Sequence, residues 1–494
     1  MRASVDLVER VGVLWGEVVG PYDDLFEAGS PSLTAALLAT RIRRELGLLV
    51  TIDQVLDRPR RDEFLSQVAS LAADSEGPLR RLPRPAPGGP GAASDRHLRL
   101  LEKPDTGGRP AVQVAFHAVG ESLDLDRLTR AFTEIVARHD ILRTVLRYET
   151  GEVVVHGAET VSGSLTAQPS GLTPEGLGGW LRAHAARPFD LRRGPMLRWG
   201  VVRAPDGDVL FVDADHLAVD GVSMLVILQE LEQLYRDGDA LTGTSPWQYA
   251  DYLAWRRTHW DTPAAKEELV TFWRRYLGSV PDQPVRRGQP QSRRTAAVRA
   301  SLDVTDLREA LEREIADTKL TAPMLLVRAA AYHLQEALGP GPVFALTPVA
   351  GRPIDAFADV VGNLSTVVPV RVEIDPAGPV AVNDQIVKQA VTDGRAHTGL
   401  RLNEIGRALG AEKPPRVLYL AAESEPQLRL GQVPLRPRVA LPQEALFDVS
   451  VWLRFGEREL RLEAVGRADT ISDADLDELV RSLARRLVLS PEGR

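Results

Sequence analysis

A run of seventeen residues from Gly77 to Ala93, GPLRRLPRPAPGGPGAA, contains five prolines and no aromatic residue. Proline fixes φ and donates no backbone hydrogen bond, so neither a regular helix nor an interior strand passes through such a run. The chain therefore divides there, and the run itself is expected to be an extended, mobile linker (77–93). A second polar break, PDQPVRRGQPQSRR at 281–294, divides the remainder into segments 94–280 and 281–494. At 494 residues the chain is too long for one compact core, and units of ordinary domain size fit this division.

Residues 1–76 read as a small helical bundle. Val11, Leu14, Trp15 and Val18 recur at helical spacing between Val5 and Val19, and a second amphipathic helix is expected from Ser32 to Leu46. Short helices near 52–56 and 62–71 complete four, about the smallest set that supports its own core. From Ser94 onward strands and helices alternate. Strands are expected at 111–119, 209–215, 297–303, 343–347, 366–373 and 447–453. Helices are expected at 125–139, 223–235, 305–316, 323–338 and 472–486. The fold class is α+β, with two halves of similar size facing each other across a cleft, where binding sites prefer to lie.

Composition excludes several classes of function. The chain has no cysteine, so it has no disulfide, thiolate zinc site or cysteine nucleophile. A net charge of −8 disfavours a nucleic-acid partner, which demands a positive field. No apolar run approaches the ~18 residues of a membrane span. The opening MRASVDLVERVG lacks the apolar core of a secretory signal, so a cytoplasmic location without membrane association is expected.

The chemistry concentrates in Asp213 to Ser223, DADHLAVDGVS. An apolar strand delivers His216 to its end, Gly221 permits a sharp turn, and Ser223 is placed to cap the helix that follows. A histidine at a strand end in a cleft suits proton transfer near neutral pH. Asp220 sits among apolar residues and requires a cationic partner. Taken alone, HxxxDG arises by chance in roughly one such chain in a few tens, so the surrounding blocks carry the weight.

Those blocks are ARHDILRTVLR (137–147), RPFDLRRGPMLR (187–198), SPWQYADYLAW (245–255), FWRRYL (272–277), TPVAGRP (347–353), VGNLSTVVPVR (361–371) and FDVSVWL (447–453). In kind and order they resemble the condensation domains of nonribosomal peptide synthetases, whose central motif is HHxxxDGxS. The resemblance spans about 94–490. It implies a two-lobed pseudo-dimer like chloramphenicol acetyltransferase, with the site midway along a central tunnel. In such a site a carrier-bound acyl or aminoacyl thioester meets an acceptor amine, or a hydroxyl, to give an amide or ester. His216 then positions the acceptor or takes its proton. Asp220 supports the site with Arg352 of the GRP block as its partner, and the Gly221 N–H is a candidate oxyanion donor. Neither metal nor ATP is implied.

LFEAGSPSL (25–33) resembles the modified-serine motif of peptidyl carrier proteins. By that resemblance Ser32 carries 4'-phosphopantetheine, attached by a phosphopantetheinyl transferase. Other carriers or synthetase modules, and a small-molecule or carrier-bound acceptor, are the implied partners. The chain departs from the family at several points. Asp215 stands where the motif has its first histidine, Thr366 replaces an asparagine, SDRHLRLLEKP (94–104) keeps little of the opening SxAQxRLW, and Pro31 precedes the serine. Asp215, Asp220 and Ser223 also spell the DxxxxDxxS of heterocyclisation domains. Cyclisation, and an idle condensation-like platform that recruits tailoring enzymes, are the alternatives. His139, His184 and His333 fall in helical or helix-end patterns with no partner motif, so no metal site is expected.

Overall fold

The computed structural model describes residues 2–20, 58–71, 81–102, 111–158, 164–165, 174–204, 206–238, 246–278, 297–411, 418–438 and 447–489, with isolated positions between 20 and 58. At the N-terminus, α1 (Arg2–Val18) packs on α2 (Arg61–Leu71). Trp15 meets Phe64 with ring centroids 5.6 Å apart. Val11, Leu14, Leu25, Leu38, Ile42, Val55 and Val68 close a core of their own. Pro31, Ser32 and most of the expected helix from Ser32 to Leu46 lie outside the described residues, as does the break at 281–294.

The Pro/Gly stretch corrects one expectation. Residues 81–93 do not hang free but run as a strap along the body that follows. Gly89–Pro90 (β1) forms the edge of a three-stranded sheet whose other members are β3 and β4, described below. Gly88 and Gly91 donate to the carbonyls of Val155 and Val153 at 2.8 and 2.7 Å. A Cβ on Gly91 would lie 3.1 Å from Val153, so glycine permits the close approach. Upstream, Leu82 N donates to Asp251 at 2.7 Å, and Arg84 pairs with Asp140 at 2.5 Å. Arg81 lies 4.7 Å from the centroid of the Trp247 ring. These attachments use backbone groups and cations, so apolar periodicity gives no sign of them.

The body begins with α3 (Asp95–Glu102), β2 (Ala111–Val119), α4 (Leu125–Arg138), β3 (Thr144–Arg147), β4 (Glu152–Val155) and β5 (Ser164–Leu165). It continues through α5 (Pro174–Ala185), β6 (Leu197–Ala204), β7 (Gly207–Asp215), α6 (Gly221–Asp237), α7 (Tyr249–His259) and α8 (Pro263–Leu277). Strand β7 is buried on both faces. Leu210, Val212 and Ala214 join the main core with residues of α4 and α6, while Val209 and Phe211 pack with Leu177 and Leu181 of α5.

The second half comprises β8 (Ala297–Asp303), α9 (Arg308–Thr318), α10 (Ala322–Leu338), β9 (Val343–Val349), β10 (Thr366–Val372), α11 (Val380–Ala396) and α12 (Leu402–Ala408). Then follow β11 (Leu418–Ser424), β12 (Leu428–Leu430), β13 (Val433–Pro437), β14 (Val449–Phe455), β15 (Leu460–Arg467) and α13 (Asp473–Leu487). Two six-stranded sheets result, ordered β12-β13-β2-β7-β6-β5 and β10-β9-β11-β14-β15-β8.

The halves trade elements. Strands β12 and β13 leave the second half to extend the first sheet, where Arg436 and Pro437 pair with His117 and Phe116. In the other direction, α8 sends Trp273 and Leu277 into a cluster with Phe344 and Leu346 of β9. The site lies where the two halves meet.

Candidate active site

Strand β7 ends at Asp215, and a five-residue turn, 216–220, leads into α6. Asp215 is buried and builds the turn. Its carboxylate accepts from Leu217 N at 2.8 Å, and its carbonyl accepts from Ala218 and Val219 at 2.9 and 3.1 Å. The turn folds His216 back so that Nδ1 donates to the Val219 carbonyl at 2.8 Å. That bond assigns the proton of the neutral ring to Nδ1 and leaves Nε2 with its lone pair. Asn363 Nδ2 holds the His216 carbonyl from the opposite half.

Asp220 caps α6. Its carboxylate accepts from Ser223 N at 2.8 Å, so the cap is Asp220 and not Ser223, which stands in the first turn. The short Asp side chain reaches the free amide of the first turn from its extended position. The same carboxylate meets Arg352 in a two-pronged pair, both bonds 3.0 Å, and accepts from Leu364 N and Ser365 N at 3.0 and 2.8 Å. Ser223 Oγ accepts from Arg352 and Gly362 N at 3.0 Å, and it lies 2.7 Å from both Asp220 Oδ1 and the Gly362 carbonyl. A fully buried carboxylate is thus held by donors from both halves of the fold. Burial opposes its ionisation, but the Arg352 charge and these bonds hold the carboxyl below the usual carboxylate range.

Two glycines make the clamp possible. A Cβ on Gly351, at φ +65°, would lie 1.9 Å from the Leu364 carbonyl, and one on Gly362 would lie 2.3 Å from the Tyr249 ring. Gly221 differs. It is exposed at the first turn of α6, and a Cβ there would meet nothing within 4 Å. No protein atom demands glycine at this position.

His216 lines a cavity of about 660 Å³ between the halves. Tyr252 and Arg256 of α7, with Trp260 just beyond its end, contribute one side. Asn363 to Val367, Arg401 and Arg407, with Tyr419, Phe447 and Trp452, contribute the other. Burial depresses the His216 pKa, and the charge of Arg96 on α3 adds to this. The Val219 carbonyl, Asp220 and Asp215 act in the opposite sense and are outweighed. The ring is therefore neutral at pH 7 and fit to accept a proton at Nε2. Arg96, Asn363 and Arg401 escape a sequence reading. The only trace of Arg96 is that SDRHLRLLEKP departs from its resemblance.

The other histidines lie elsewhere. His139 ends α4 and meets Glu230 at 2.7 Å, His333 contacts Ser482 at 2.8 Å, and His184 forms a buried pair with Asp213 at 2.6 Å. Among the described residues no group of three or more His, Cys, Asp or Glu is placed to hold a metal, and no helix is long and apolar enough to cross a membrane.

Comparison with known proteins finds relatives along most of the chain. The family model described as "Condensation domain" matches residues 100–474. Tyrocidine synthase 3 of Brevibacillus parabrevis is 25% identical over 455 residues, covering 89% of this chain and 7% of its own length. Bacitracin synthase 3 of Bacillus licheniformis is 26% identical over 371 residues, 72% of this chain and 6% of that protein. The chain thus spans less than a tenth of either. Two solved structures share the fold. The X-domain from teicoplanin biosynthesis superposes with a TM-score of 0.68 at 22% identity, covering 85% of this chain and 98% of its own. The first condensation domain of the calcium-dependent antibiotic synthetase, in complex with substrate analogue 3a, gives 0.66 at 19%, covering 81% and 96%.

Proposed function

The chain belongs to the condensation-domain family, and from that premise we propose that it joins a carrier-bound acyl or aminoacyl thioester to an acceptor amine, forming an amide in nonribosomal peptide synthesis. The observation that carries this reading is His216, neutral, with Nδ1 committed to the Val219 carbonyl and its ring lining the cavity between the halves. The amine lone pair attacks the thioester carbonyl carbon, forming the C–N bond and placing negative charge on oxygen. His216 Nε2 receives the proton the nitrogen sheds. Collapse breaks the C–S bond, and that proton leaves on the sulfur as the free thiol. Asp220 and Arg352 position this machinery without touching the reacting atoms. The Gly221 N–H, one of the first-turn amides that a helix leaves unbonded internally, is assigned to the oxyanion, and the open space beside it to substrate.

Residues 1–76 serve in this reading as a peptidyl carrier, with 4'-phosphopantetheine on Ser32. Carrier domains and synthetase modules in the cytoplasm are the partners. The resemblance of 25–33 to the carrier motif supports this, as does the separate N-terminal core. Intact-protein mass spectrometry after treatment with a phosphopantetheinyl transferase and coenzyme A tests the carrier directly. The mass gain is expected in the native chain and absent in Ser32→Ala.

Condensation is tested by offering an acyl-pantetheine donor and candidate amines. Product is expected, falling ~10²–10⁴-fold in His216→Ala, the usual worth of a positioned general base. Unchanged yield in that variant would overturn the assignment and favour a recruiting platform. One structural neighbour is a complex of the X-domain and OxyB from teicoplanin biosynthesis, which motivates that alternative. Loss of a further water from the product would indicate cyclisation.

A further inference from the structure

We propose that the peptide joining His216 to Leu217 is a clamped plane that sets the reacting ring, and that Asn363, backed by Tyr249, is the positioning residue that holds it from the other half of the fold. In a trans peptide the N–H and C=O point in opposite directions, and here each end is met by a side chain. The N–H, on Leu217, donates to Asp215 Oδ1 at 2.8 Å. The carbonyl, on His216, accepts from Asn363 Nδ2. A carbonyl only accepts, so the Asn363 amide must present its nitrogen there. The plane cannot turn without breaking two hydrogen bonds, and ψ of His216 is fixed.

Asp215 supplies the local half of this clamp and Asn363 the tertiary half. Segment 362–365 grips the turn at several points. Gly362 N donates to Ser223 Oγ at 3.0 Å, and Leu364 N and Ser365 N donate to Asp220 at 3.0 and 2.8 Å. Those bonds reach the start of α6, whereas the Asn363 amide reaches residue 216 itself. Behind Asn363 stands Tyr249, whose hydroxyl donates to the Asn363 carbonyl at 3.3 Å. The Tyr249 ring is buried and stacks on Tyr252 at 5.8 Å, and a Cβ on Gly362 would lie 2.3 Å from it. Burial pushes the phenol up to about 12, so it remains a donor at any working pH.

The ring depends on this plane. His216 Nδ1 donates to the Val219 carbonyl at 2.8 Å, so the tautomer with a bare Nε2 persists only while ring and carbonyl keep their relative placement. Rotation of the 216–217 peptide swings the ring off Val219, and either nitrogen is then free to carry the proton. Asn363 thus acts on the chemistry through His216 and has no need to touch substrate. The support runs from α7 of the first half to Asn363 of the second and back to His216, across the seam between the halves.

As a statement about turnover this inference rests on the condensation reading; as a statement about the placement of the ring it does not. The full chain is labelled with nitrogen-15 histidine and studied by NMR at about pH 8, where an imidazole is neutral. Comparison with His216→Ala identifies the His216 signals. The native ring should show Nδ1 protonated and Nε2 bare. Asn363→Ala and Tyr249→Phe should each move both nitrogens toward the average of mixed tautomers, Tyr249→Phe by less. His216 signals identical to native in both variants would overturn the proposal.

Turnover is followed with acetyl-pantetheine as donor and L-phenylalaninamide as amine, with melting temperatures recorded so that loss of folded protein is not counted as loss of rate. In Asn363→Ala kcat should fall ~10–10²-fold, the scale of a misplacement of about 1 Å, with KM changed less than about twofold. Asn363→Asp has the same size but cannot donate when ionised, and should fall at least as far; native turnover in that variant would contradict the clamp. In a His216→Ala background Asn363→Ala should cost nothing further, because its effect passes through the ring. An equal loss in both backgrounds would assign Asn363 a role independent of His216 and overturn the proposal. A tautomer shift in a chain that forms no product would sink the condensation reading and leave the clamp standing. Product formation with no tautomer shift would do the reverse.

Discussion

At the scale of single residues, the hydrogen bond from His216 Nδ1 to the Val219 carbonyl decides what the imidazole can do, because it leaves only Nε2 to meet a proton. The sign of its titration follows. Burial and Arg96 lower the pKa from the ordinary 6.5, so the neutral ring persists at lower pH than usual. The acid limb of kcat/KM is therefore expected below pH 6.5, with activity lost only as pH falls through the depressed value. Removing the Arg96 charge by Arg96→Gln should move that limb upward. A pH–rate profile of both proteins checks this, and an unmoved limb would remove Arg96 from the account. Asp220 obeys the opposite rule. Its lowered pKa means that its stabilising contribution is present above the ordinary carboxylate range and is lost as pH falls through the folded-state value. Arg352→Ala leaves this buried carboxylate short of its cation and should cost ~3–5 kcal/mol near pH 7 in a urea melt. A loss below about 1 kcal/mol would mean that the remaining donors suffice.

At the scale of elements, β7, its turn and α6 form one unit whose logic is local. An apolar strand, a turn built by Asp215 and a helix capped by Asp220 follow one another directly, which is why the run 213–223 was legible as a strand-to-helix turn. The identity of the cap was not, because Asp220 and Ser223 both carry capping side chains and only geometry separates donor from acceptor. The strap 81–93 shows a larger gap. Its prolines correctly exclude regular structure, yet Leu82, Gly88 and Gly91 each donate a bond of 2.7–2.8 Å to the body. Amide exchange at these three positions should accordingly be slowed well beyond that of a free Pro/Gly linker. Hydrogen-exchange mass spectrometry across 81–93 would show the difference, and random-coil exchange rates there would refute the docked strap.

At the scale of the whole molecule, the two halves are held by exchange as much as by contact. Strand β13 ends on the first sheet, Arg438 continues with a 2.7 Å bond to the Ala115 carbonyl, and α8 buries Trp273 against the second sheet. Trp273 precedes the polar break at 281–294, yet its indole donates to the His397 carbonyl at 3.2 Å. Trp273→Ala should thus destabilise the second half by ~3–5 kcal/mol, as expected for a fully buried Trp. Denaturant unfolding followed by segment-resolved exchange would show protection lost first in β9 and β10; loss confined to the first half would contradict the exchange.

The sequence by itself determined the alternation of strands and helices, the strand that delivers His216, and the need of Asp220 for a cation. Each of these follows from neighbours within a turn or two, where periodicity and capping chemistry operate. Only the tertiary structure decided the docked strap, the exchanged β12–β13 and α8, and the meeting of Arg96, His216 and Arg401 at one cavity. Asp220 and Arg352 lie 132 residues apart, and Asn363 and His216 lie 147 apart. Contacts of that span are fixed by the packing of one half on the other, and no local pattern in either partner encodes the distance between them.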